Sequence, residues 1–352
     1  MTGHRMDDRE NWIRAATFGS PEWIPCSMGF SPMNIQQYRQ DLGTLMHEHP
    51  RIFPEYNPDT FDYCDEMPPV YRKGELHTDN WGCVWNNAIE GLEGQVVGHP
   101  LADWSALGAW HPPDPMTKSE RGERDWGKIR SEMEDRKRRG LLTHGSAERL
   151  FDRLYFLRGF ENLMLDFAEG RPELDRLIAL LSIYEHRVVD EWVKIGVDII
   201  SFHTDIGTQQ GLMISPGAFR RHLKPLFEPL FRKIRQAGSI VMLSSDGRIL
   251  QIIDDLVEYG LQVHDPQLRA NGLADIKHTY KGKLCINLDL DRQSFPFLTP
   301  GQLRDQVASV VDTLADPQGG LMLLAAIYGD IPFRNIVALC EAFEELCFPR
   351  GA

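Results

Sequence analysis

The sequence predicts a (β/α)8 barrel, because strands and helices alternate along most of the chain and polar residues follow the strands. The chain has 352 residues, which suits one large α/β domain or two smaller ones. Apolar runs of strand length lie near residues 24, 142, 199, 241, 262, 285 and 322. These are the seven predicted strands. We expect the eighth in the irregular segment 50–125 or around residues 154–157.

A doubly wound open sheet is the alternative arrangement of the same elements. Such sheets commonly bind nucleotides at a glycine-rich turn that follows a strand. Neither a GxGxxG fingerprint nor a phosphate-loop motif follows any of the predicted strands. Their absence favours the barrel.

The segment over residues 198–247 has the clearest pattern. An apolar run at residues 197–201 ends in polar residues, and so does a second apolar run at residues 239–243. Between them, Ser215 and Pro216 occupy the N-cap and first helical positions of a long amphipathic helix. This is a βαβ unit, whose chemistry lies at the carboxyl ends of its strands. The polar residues at these ends are His203, Thr204, Asp205, Ser244, Ser245 and Asp246.

The other elements follow from apolar spacing and from capping residues. Thr299 and Pro300 begin a helix that runs to residue 314, and a strand is expected over residues 140–145 with His144 at its end. The remaining predicted helices cover residues 9–18, 38–49, 126–139, 147–157, 161–167, 172–194, 249–259, 273–280 and 332–347.

The segment 50–125 interrupts the alternation with proline, aspartate, glycine and aromatic residues. Long irregular insertions in compact domains are usually functional or disordered. Four tryptophans, at positions 81, 85, 104 and 110, argue against disorder, because disordered segments contain few aromatic residues. We interpret the segment as an ordered cap whose tryptophans line a flat pocket. A satellite hydrophobic cluster under a long loop is the alternative.

The composition excludes several classes of protein. The net charge of −13 argues against nucleic acid as a partner, because phosphate binding requires a basic surface. No apolar run approaches the length of a membrane span, and the N-terminal residues lack an apolar signal core. The six cysteines are scattered and contain no CxxC pair, which fits a reduced, cytoplasmic protein.

Several motifs in the C-terminal half resemble the uroporphyrinogen decarboxylase superfamily. They are DIGTQ at residues 205–209, GLMISP at 211–216, LKP at 223–225, SDGRI at 245–249, GG at 319–320 and DIP at 330–332. The resemblance implies a (β/α)8 barrel of the uroporphyrinogen decarboxylase type, formed by residues 1–352 as a single domain. The aromatic-rich segment 50–125 would be an N-terminal insertion within it.

The resemblance also distinguishes between the branches of this superfamily. True uroporphyrinogen decarboxylases carry an arginine-rich N-terminal segment for the substrate's carboxylates, whereas residues 23–30 here contain no arginine. The other branch transfers methyl groups to or from corrinoid proteins, and its thiol-activating members carry His-x-Cys and a later Cys as zinc ligands. Residues 244–246 are Ser-Ser-Asp and residues 325–327 are Ala-Ala-Ile, so the resemblance implies a substrate that is not a thiol.

Residues at or just after the strand ends form the predicted site, because these ends converge at one mouth of a barrel. We predict four catalytic residues, five substrate-binding residues and a metal site for zinc. The catalytic residues are His203, Asp205, Asp246 and Tyr328; the substrate-binding residues are Gln209, Ser244, Asn287, Trp81 and Trp85; the metal ligands are His203, Asp246 and His264.

Each of these assignments has a structural alternative. Asp205 and Asp246 are also suited to cap the helices that follow them. His264 precedes Asp-Pro and is suited to hydrogen-bond within a turn.

The expected function is methyl transfer from a small methoxylated compound, aromatic methyl ethers included, or from another methylated compound. The acceptor would be the cobalt of a separate corrinoid (cobalamin) protein, because no corrinoid-binding module is visible in the chain. The expected partners are therefore a corrinoid protein and a small-molecule methyl donor. The alternatives are a decarboxylase of a small acid and a catalytically silent barrel that binds a small molecule.

Overall fold

The structure is a computed structural model that describes residues 6–348. Residues 1–5 and 349–352 of the predicted domain lie outside the described part. Twelve strands are present in residues 6–348. In chain order they are β1 (Cys26–Phe30), β2 (Leu76–Thr78), β3 (Val84–Asn86), β4 (Gln95–Gly98), β5 (Lys118–Ser119), β6 (Gly122–Glu123), β7 (His144–Ser146), β8 (Ile199–His203), β9 (Ile240–Ser244), β10 (Val263–His264), β11 (Cys285–Asp289) and β12 (Leu321–Ile327).

Thirteen α-helical segments accompany these strands within the described residues. They are α1 (Asp8–Thr17), α2 (Pro32–Glu48), α3 (Trp126–Arg138), α4 (Leu150–Arg158), α5 (Phe160–Glu169), α6 (Pro172–Ile195), α7 (Pro216–Ala218), α8 (Lys224–Gln236), α9 (Ile253–Tyr259), α10 (Leu268–Asn271), α11 (Leu273–Tyr280), α12 (Pro300–Leu314) and α13 (Phe333–Cys347). A π-helical turn, Phe219–Leu223, joins α7 to α8, and 3-10 turns occur at Pro69–Tyr71, Trp104–Gly108 and Leu250–Ile252.

The predicted fold class is confirmed. Strands β1 and β7 to β12 belong to one sheet, and every strand pairing recorded in it is parallel, with helices between successive strands. Such alternation of parallel strands and helices characterises the (β/α)8 class. The eighth barrel strand is not seen in residues 6–348. Residues 154–157 lie inside α4, and the short strands of segment 50–125 form two separate small sheets, β2-β3-β4 and β5-β6.

Two local predictions were wrong. His144 begins β7 rather than ending it, because residues 140–143 connect α3 to the strand and are not themselves in a strand conformation. The predicted helix at residues 38–49 begins earlier, at Pro32. The Ser31 side chain accepts a hydrogen bond from the backbone N–H of Asn34, and proline occupies the first helical position. The sequence contained this capping signal.

By its internal contacts the chain divides into two compact units. The first comprises residues 6–76, 86–94 and 265–348 within the described part. Its strands lie in the order β1-β12-β11. Helices α12 and α13 pack against each other, and the α12 N-terminus is held by a capping box in which Thr299 and Gln302 hydrogen-bond each other's backbone N–H groups.

The second unit comprises residues 77–85 and 95–264. Its strands lie in the order β10-β9-β8-β7, and α6 and α8 pack together beside them. Phe202 of β8 lies 5.2 Å from Phe231 of α8, centroid to centroid. Because side chains alternate along a strand, Ser201 and His203 occupy the face opposite this helix layer. The sheet therefore presents these polar groups away from α8.

No helix in residues 6–348 combines the length and the apolar character that a membrane span requires. The assignment of residues 1–352 to a single domain stays a prediction.

Candidate functional site

In the second unit, hydrogen bonds join the segments at the carboxyl ends of β8 and β9. The backbone N–H of Asp246 donates to Oδ1 of Asp205 at 2.8 Å, and the N–H of Thr204 donates to the carbonyl of Ser244 at 2.9 Å. The N–H of Ile206 donates to Oγ of Ser245 at 3.1 Å. Two of the predicted catalytic residues, Asp205 and Asp246, are thus in direct contact.

Glycines allow the loops after these strands to approach closely. Gly247 has a φ of +84°, and a Cβ atom there would lie 2.5 Å from the backbone of Gly207. Only glycine fits this combination of left-handed backbone and close contact. The N–H of Arg248 also donates to the carbonyl of Thr208 at 2.8 Å. The DIGTQ and SDGRI motifs therefore form one packed pair of loops.

The end of β8 also serves as the cap of α4. Oγ1 of Thr204 accepts hydrogen bonds from the N–H groups of Phe151 and Asp152, at 2.8 and 3.1 Å. The first N–H groups of a helix have no partner within the helix, and the α4 N-cap residue, Arg149, makes no capping bond with its own side chain. Thr204 supplies that capping interaction from a distant part of the sequence.

Asp152 and Asp205 form a carboxylate pair at this junction. The N–H of Asp205 donates to both carboxylate oxygens of Asp152 at 3.2 Å, and the Tyr155 hydroxyl donates to Oδ1 of Asp152 at 2.5 Å. Burial, together with the charge of Asp205, raises the pKa of Asp152 to about 7. The site therefore contains a buried carboxyl group that titrates near neutrality.

Ser201 lies between two histidines. Its hydroxyl is 2.7 Å from Nε2 of His144 and 3.2 Å from Nε2 of His203, and Ser201 itself is fully buried. Both residues are exposed at the surface, and His203 lines a cleft. Desolvation lowers the pKa of both rings, and it lowers that of His203 to about 4 with help from nearby cations. The surroundings therefore favour the neutral form of both rings.

A cleft of about 940 Å³ opens beside His203. Ligand sites in proteins typically enclose about 300–1,000 Å³, so the cleft is large enough for a small molecule. Its lining combines cations and carboxylates and includes Trp192. Arg149, one of the cations, lies 3.3 Å from Glu120 at its closest approach. Among the predicted site residues, His203 is the one that lines this cleft.

A buried arginine connects segment 50–125 to α4. The Arg153 side chain is 0% exposed and forms ion pairs with Asp79 at 3.2 Å, with Glu148 at 3.5 Å and with Glu120. Its guanidinium lies 4.6 Å from the ring centroid of Trp81. Three carboxylates and an aromatic face thus surround one cation, which anchors the inserted segment within the second unit.

The tryptophans predicted to bind substrate lie in the core. Trp81 is 2% exposed and Trp85 is 3% exposed, and neither lines the cleft. Trp81 stacks on Trp110 at 6.1 Å, and Nε1 of Trp85 donates to Asp79 at 2.9 Å. The structure thus agrees with the alternative left open by the sequence, a hydrophobic cluster, since fully packed rings present no free face to a ligand.

The predicted metal ligands are not assembled into a site. In the described part of the chain, no three His, Cys, Asp or Glu side chains are grouped so that they could hold a metal ion. His203, Asp246 and His264 therefore do not form such a group. His264 ends β10 and is fully buried, which lowers its pKa to about 3. It belongs to the core of its strand rather than to the cleft.

The remaining predicted residues lie in different surroundings. Ser244 ends β9 opposite His203 in the strand register and is half-buried. Gln209 is exposed in the loop closed by the bridge between Gly207 and Leu212. Asn287 and Tyr328 belong to the first unit: Asn287 is half-buried in β11, and Tyr328 follows β12, half exposed beneath the guanidinium of Arg292 at 5.4 Å.

Sequence reasoning missed Asp152, Arg153 and Ser201. A signal existed for each of them. Asp152 and Arg153 are charged residues inside the otherwise apolar stretch of α4, and Ser201 is the one polar residue within the apolar run of β8. Buried polar residues require partners, so such interruptions of an apolar pattern indicate tertiary contacts.

No protein-family model and no curated protein matches the sequence. Among solved structures, a methyltransferase from Methanosarcina mazei superimposes with a TM-score of 0.60 at 16% identity, over 96% of this chain and 98% of that chain. A D-psicose 3-epimerase, solved in the presence of D-fructose, gives a TM-score of 0.40 at 7% identity, over 63% of this chain and 83% of that chain.

A dihydropteroate synthase from Anaplasma phagocytophilum gives a TM-score of 0.27 at 17% identity, over 40% of this chain and 60% of that chain. At its identity, the likeness to the methyltransferase concerns the fold alone. The other two likenesses are too weak to support an argument. The likeness to the methyltransferase agrees with the barrel class reached from the strands and helices.

Proposed function

We propose that this chain is a methyltransferase that removes a methyl group from a small methyl ether and transfers it to the cobalt of a separate corrinoid protein. Two observations support the proposal. The fold resembles that of a methyltransferase over nearly the whole length of both chains. The second unit also carries an acid–base side chain, His203, beside a cleft of small-molecule size.

Of these two observations, the position of His203 in the cleft is the one on which the proposal depends. When the C–O bond of a methyl ether breaks, the methyl group leaves to the acceptor and the oxygen must take a proton. His203 stands at the carboxyl end of β8, where barrel enzymes place catalytic groups, and it lines the cleft. We assign to it the donation of that proton to the leaving oxygen.

The residues at the end of β9 support an oxygen-linked methyl group rather than a sulfur-linked one. The end of β9 carries Ser244, Ser245 and Asp246, and thiol activation would require soft ligands there. Asp205 and Asp246 hold the two loops together, so we assign them the role of positioning the loop that follows His203. In the proposal, the corrinoid is the second substrate and supplies the methyl-accepting cobalt.

Methyl transfer to free cob(I)alamin tests the proposal. The purified protein is incubated anaerobically with cob(I)alamin and a panel of methoxybenzoates and methoxyphenols, and the products are measured by mass spectrometry. We expect demethylated product and methylated cobalamin in equal amounts. The His203→Gln variant should lose turnover by roughly 10²-fold or more, the usual contribution of a positioned acid. The His278→Gln variant, which changes an exposed histidine, serves as the matched control.

Three outcomes would overturn the proposal. The first is the absence of methyl transfer across the panel, both with free cob(I)alamin and with purified corrinoid proteins. The second is carbon dioxide release from a carboxylated compound without cobalamin, which would identify a decarboxylase. The third is ligand binding without turnover that also survives substitution of His203, which would identify a silent binding barrel.

A further inference from the structure

We propose that His144, Ser201 and His203 form a proton relay, in which the Ser201 hydroxyl passes protons from a solvent-reached histidine to the histidine of the cleft. The role of this relay in methyl transfer rests on the proposed function. The existence of the relay as a coupled hydrogen-bond chain is independent of the proposed function.

The geometry links the three side chains in one line. Oγ of Ser201 lies 2.7 Å from Nε2 of His144 on β7 and 3.2 Å from Nε2 of His203 on β8. Ser201 is fully buried between them, so bulk water does not compete for its hydroxyl. The His203 ring contacts Ser201 through Nε2, and His203 lines the cleft, so in the relay Nδ1 is the ring atom that faces the ligand.

The hydroxyl group couples the tautomers of the two rings. A serine hydroxyl carries one proton, so it donates one hydrogen bond and accepts the other. If Ser201 donates to His203, then Nε2 of His144 must carry a proton and donate to Ser201. If Ser201 donates to His144, then Nε2 of His203 must carry the proton instead. The two neutral rings therefore hold opposite protonation at Nε2 and change together.

The surroundings of His203 disfavour its charged form, which is consistent with such a chain. The pKa of His203 is lowered to about 4 by desolvation first, and then by His144, Arg149 and Arg121. Arg136 acts in the same direction on the pKa of His144. An imidazolium at His203 is thus unfavourable at neutral pH. A neutral ring can give up its Nδ1 proton only if Nε2 receives another at the same time.

The proton balance closes without any charged histidine. Nδ1 of His203 gives its proton to the leaving oxygen, and its Nε2 takes the hydroxyl proton of Ser201. Ser201 takes the Nε2 proton of His144, whose Nδ1 takes one proton from solvent. One proton enters from solvent and one reaches the leaving oxygen, and both rings end in the other neutral tautomer.

Imidazole ¹⁵N NMR tests the coupling without any methyl donor. We expect one histidine of the pair to be protonated at Nε2 and the other not. Both Ser201→Ala and His144→Gln should shift the tautomer population of His203. Ser201→Thr, which keeps the hydroxyl, should preserve it. Ser239→Ala is the matched control, because Ser239 is a buried serine whose hydroxyl donates to the Val197 carbonyl at 2.6 Å, away from the two histidines.

Turnover supplies the second measurement. Demethylation should fall roughly 10-fold to 100-fold in Ser201→Ala, a part of the effect of a positioned acid, and recover in Ser201→Thr. An unchanged His203 tautomer population in both Ser201→Ala and His144→Gln would overturn the relay. Coupled tautomers without methyl transfer to any acceptor would leave the relay standing and overturn the proposed function, so the two failures are distinguishable.

Discussion

The carboxylate of Asp205 accepts a hydrogen bond from the backbone N–H of Asp246 at 2.8 Å. This contact joins the loops that follow two neighbouring parallel strands, β8 and β9. The same loops carry the DIGTQ and SDGRI motifs, and glycine at positions 207 and 247 brings their backbones together. The DIGTQ and SDGRI motifs are therefore a structural pair at the carboxyl ends of β8 and β9.

Removing the Asp205 carboxylate should loosen this pair of loops. A hydrogen bond to a charged acceptor contributes about 1.5–3 kcal/mol, so Asp205→Ala should lower the free energy of unfolding by about that amount. Asp205→Asn keeps an acceptor and should lose less. Urea denaturation at pH 7 measures both. Asp305→Ala, at an exposed position, should stay within about 0.5 kcal/mol. Equal losses in Asp205→Ala and Asp305→Ala would contradict the structural role of the contact.

The elements that the sequence predicted well are those whose ends are marked by residues close to them in the sequence. Helix α12 spans Pro300–Leu314, as predicted from Thr299 and Pro300, because a cap and a proline mark a helix start within a few residues. The start of β7 was misjudged, because the apolar pair Leu141 and Leu142 continues the pattern of a strand although neither residue joins the sheet. Membership of a sheet depends on neighbours distant in sequence.

The site was predicted in part for the same reason. His203, Asp205 and Asp246 could be placed near one another, because neighbouring parallel strands bring their carboxyl ends to one edge. Asp152 could not be placed there from the sequence. It reaches the site because Thr204 caps α4, and this contact joins residues that are 52 positions apart. The burial of Trp81 likewise depends on the position of Arg153, which spacing does not specify.

Arg153 should be one of the most sensitive positions of the second unit. It is fully buried among Asp79, Glu120 and Glu148, and removal of one partner from a buried ion pair costs about 3–5 kcal/mol, because the other charges stay buried. We expect Arg153→Met to lower the free energy of unfolding by at least that amount. Thermal and urea denaturation, with near-ultraviolet circular dichroism of the tryptophans, measure the loss.

The matched control for Arg153→Met is Arg138→Met. Arg138 pairs with Asp135 at 3.0 Å with both side chains exposed, and exposed pairs contribute at most about 1 kcal/mol. Similar losses in the two variants would show that the buried cluster does not anchor the inserted segment.

Asp152 should make stability depend on pH. Its folded pKa, about 7, lies above the ordinary value of 3.8, so the charged form is penalised in the fold. The contribution of protonated Asp152 to the free energy of unfolding is therefore fully present below about pH 4. This contribution is lost as the pH rises from 3.8 to about 7. At about 1.4 kcal/mol per pKa unit, the loss amounts to about 4–5 kcal/mol. Asp152→Asn should remove it.

Urea denaturation of the wild type and of Asp152→Asn at half-unit steps from pH 4 to pH 8 measures this difference. The variant should become more stable relative to the wild type as pH rises, and level off above pH 7. Asp305→Asn, which changes an exposed aspartate, should run parallel to the wild type. A constant difference between wild type and Asp152→Asn across the range would contradict a raised pKa for Asp152.

Two glycine substitutions separate backbone strain from steric contact at the paired loops. Gly247 and Gly282 both have positive φ, +84° and +79°, so alanine at either position costs about 1–2 kcal/mol of strain. At Gly282 an added Cβ meets nothing within 4 Å, whereas at Gly247 it would lie 2.5 Å from the Gly207 backbone. We therefore expect Gly282→Ala to lower the free energy of unfolding by the backbone strain alone. Gly247→Ala should lose more stability and should also disturb the His203 imidazole resonances, because the loop after β8 must move. Equal losses in the two variants, with unchanged His203 resonances, would mean that the loops do not depend on this contact.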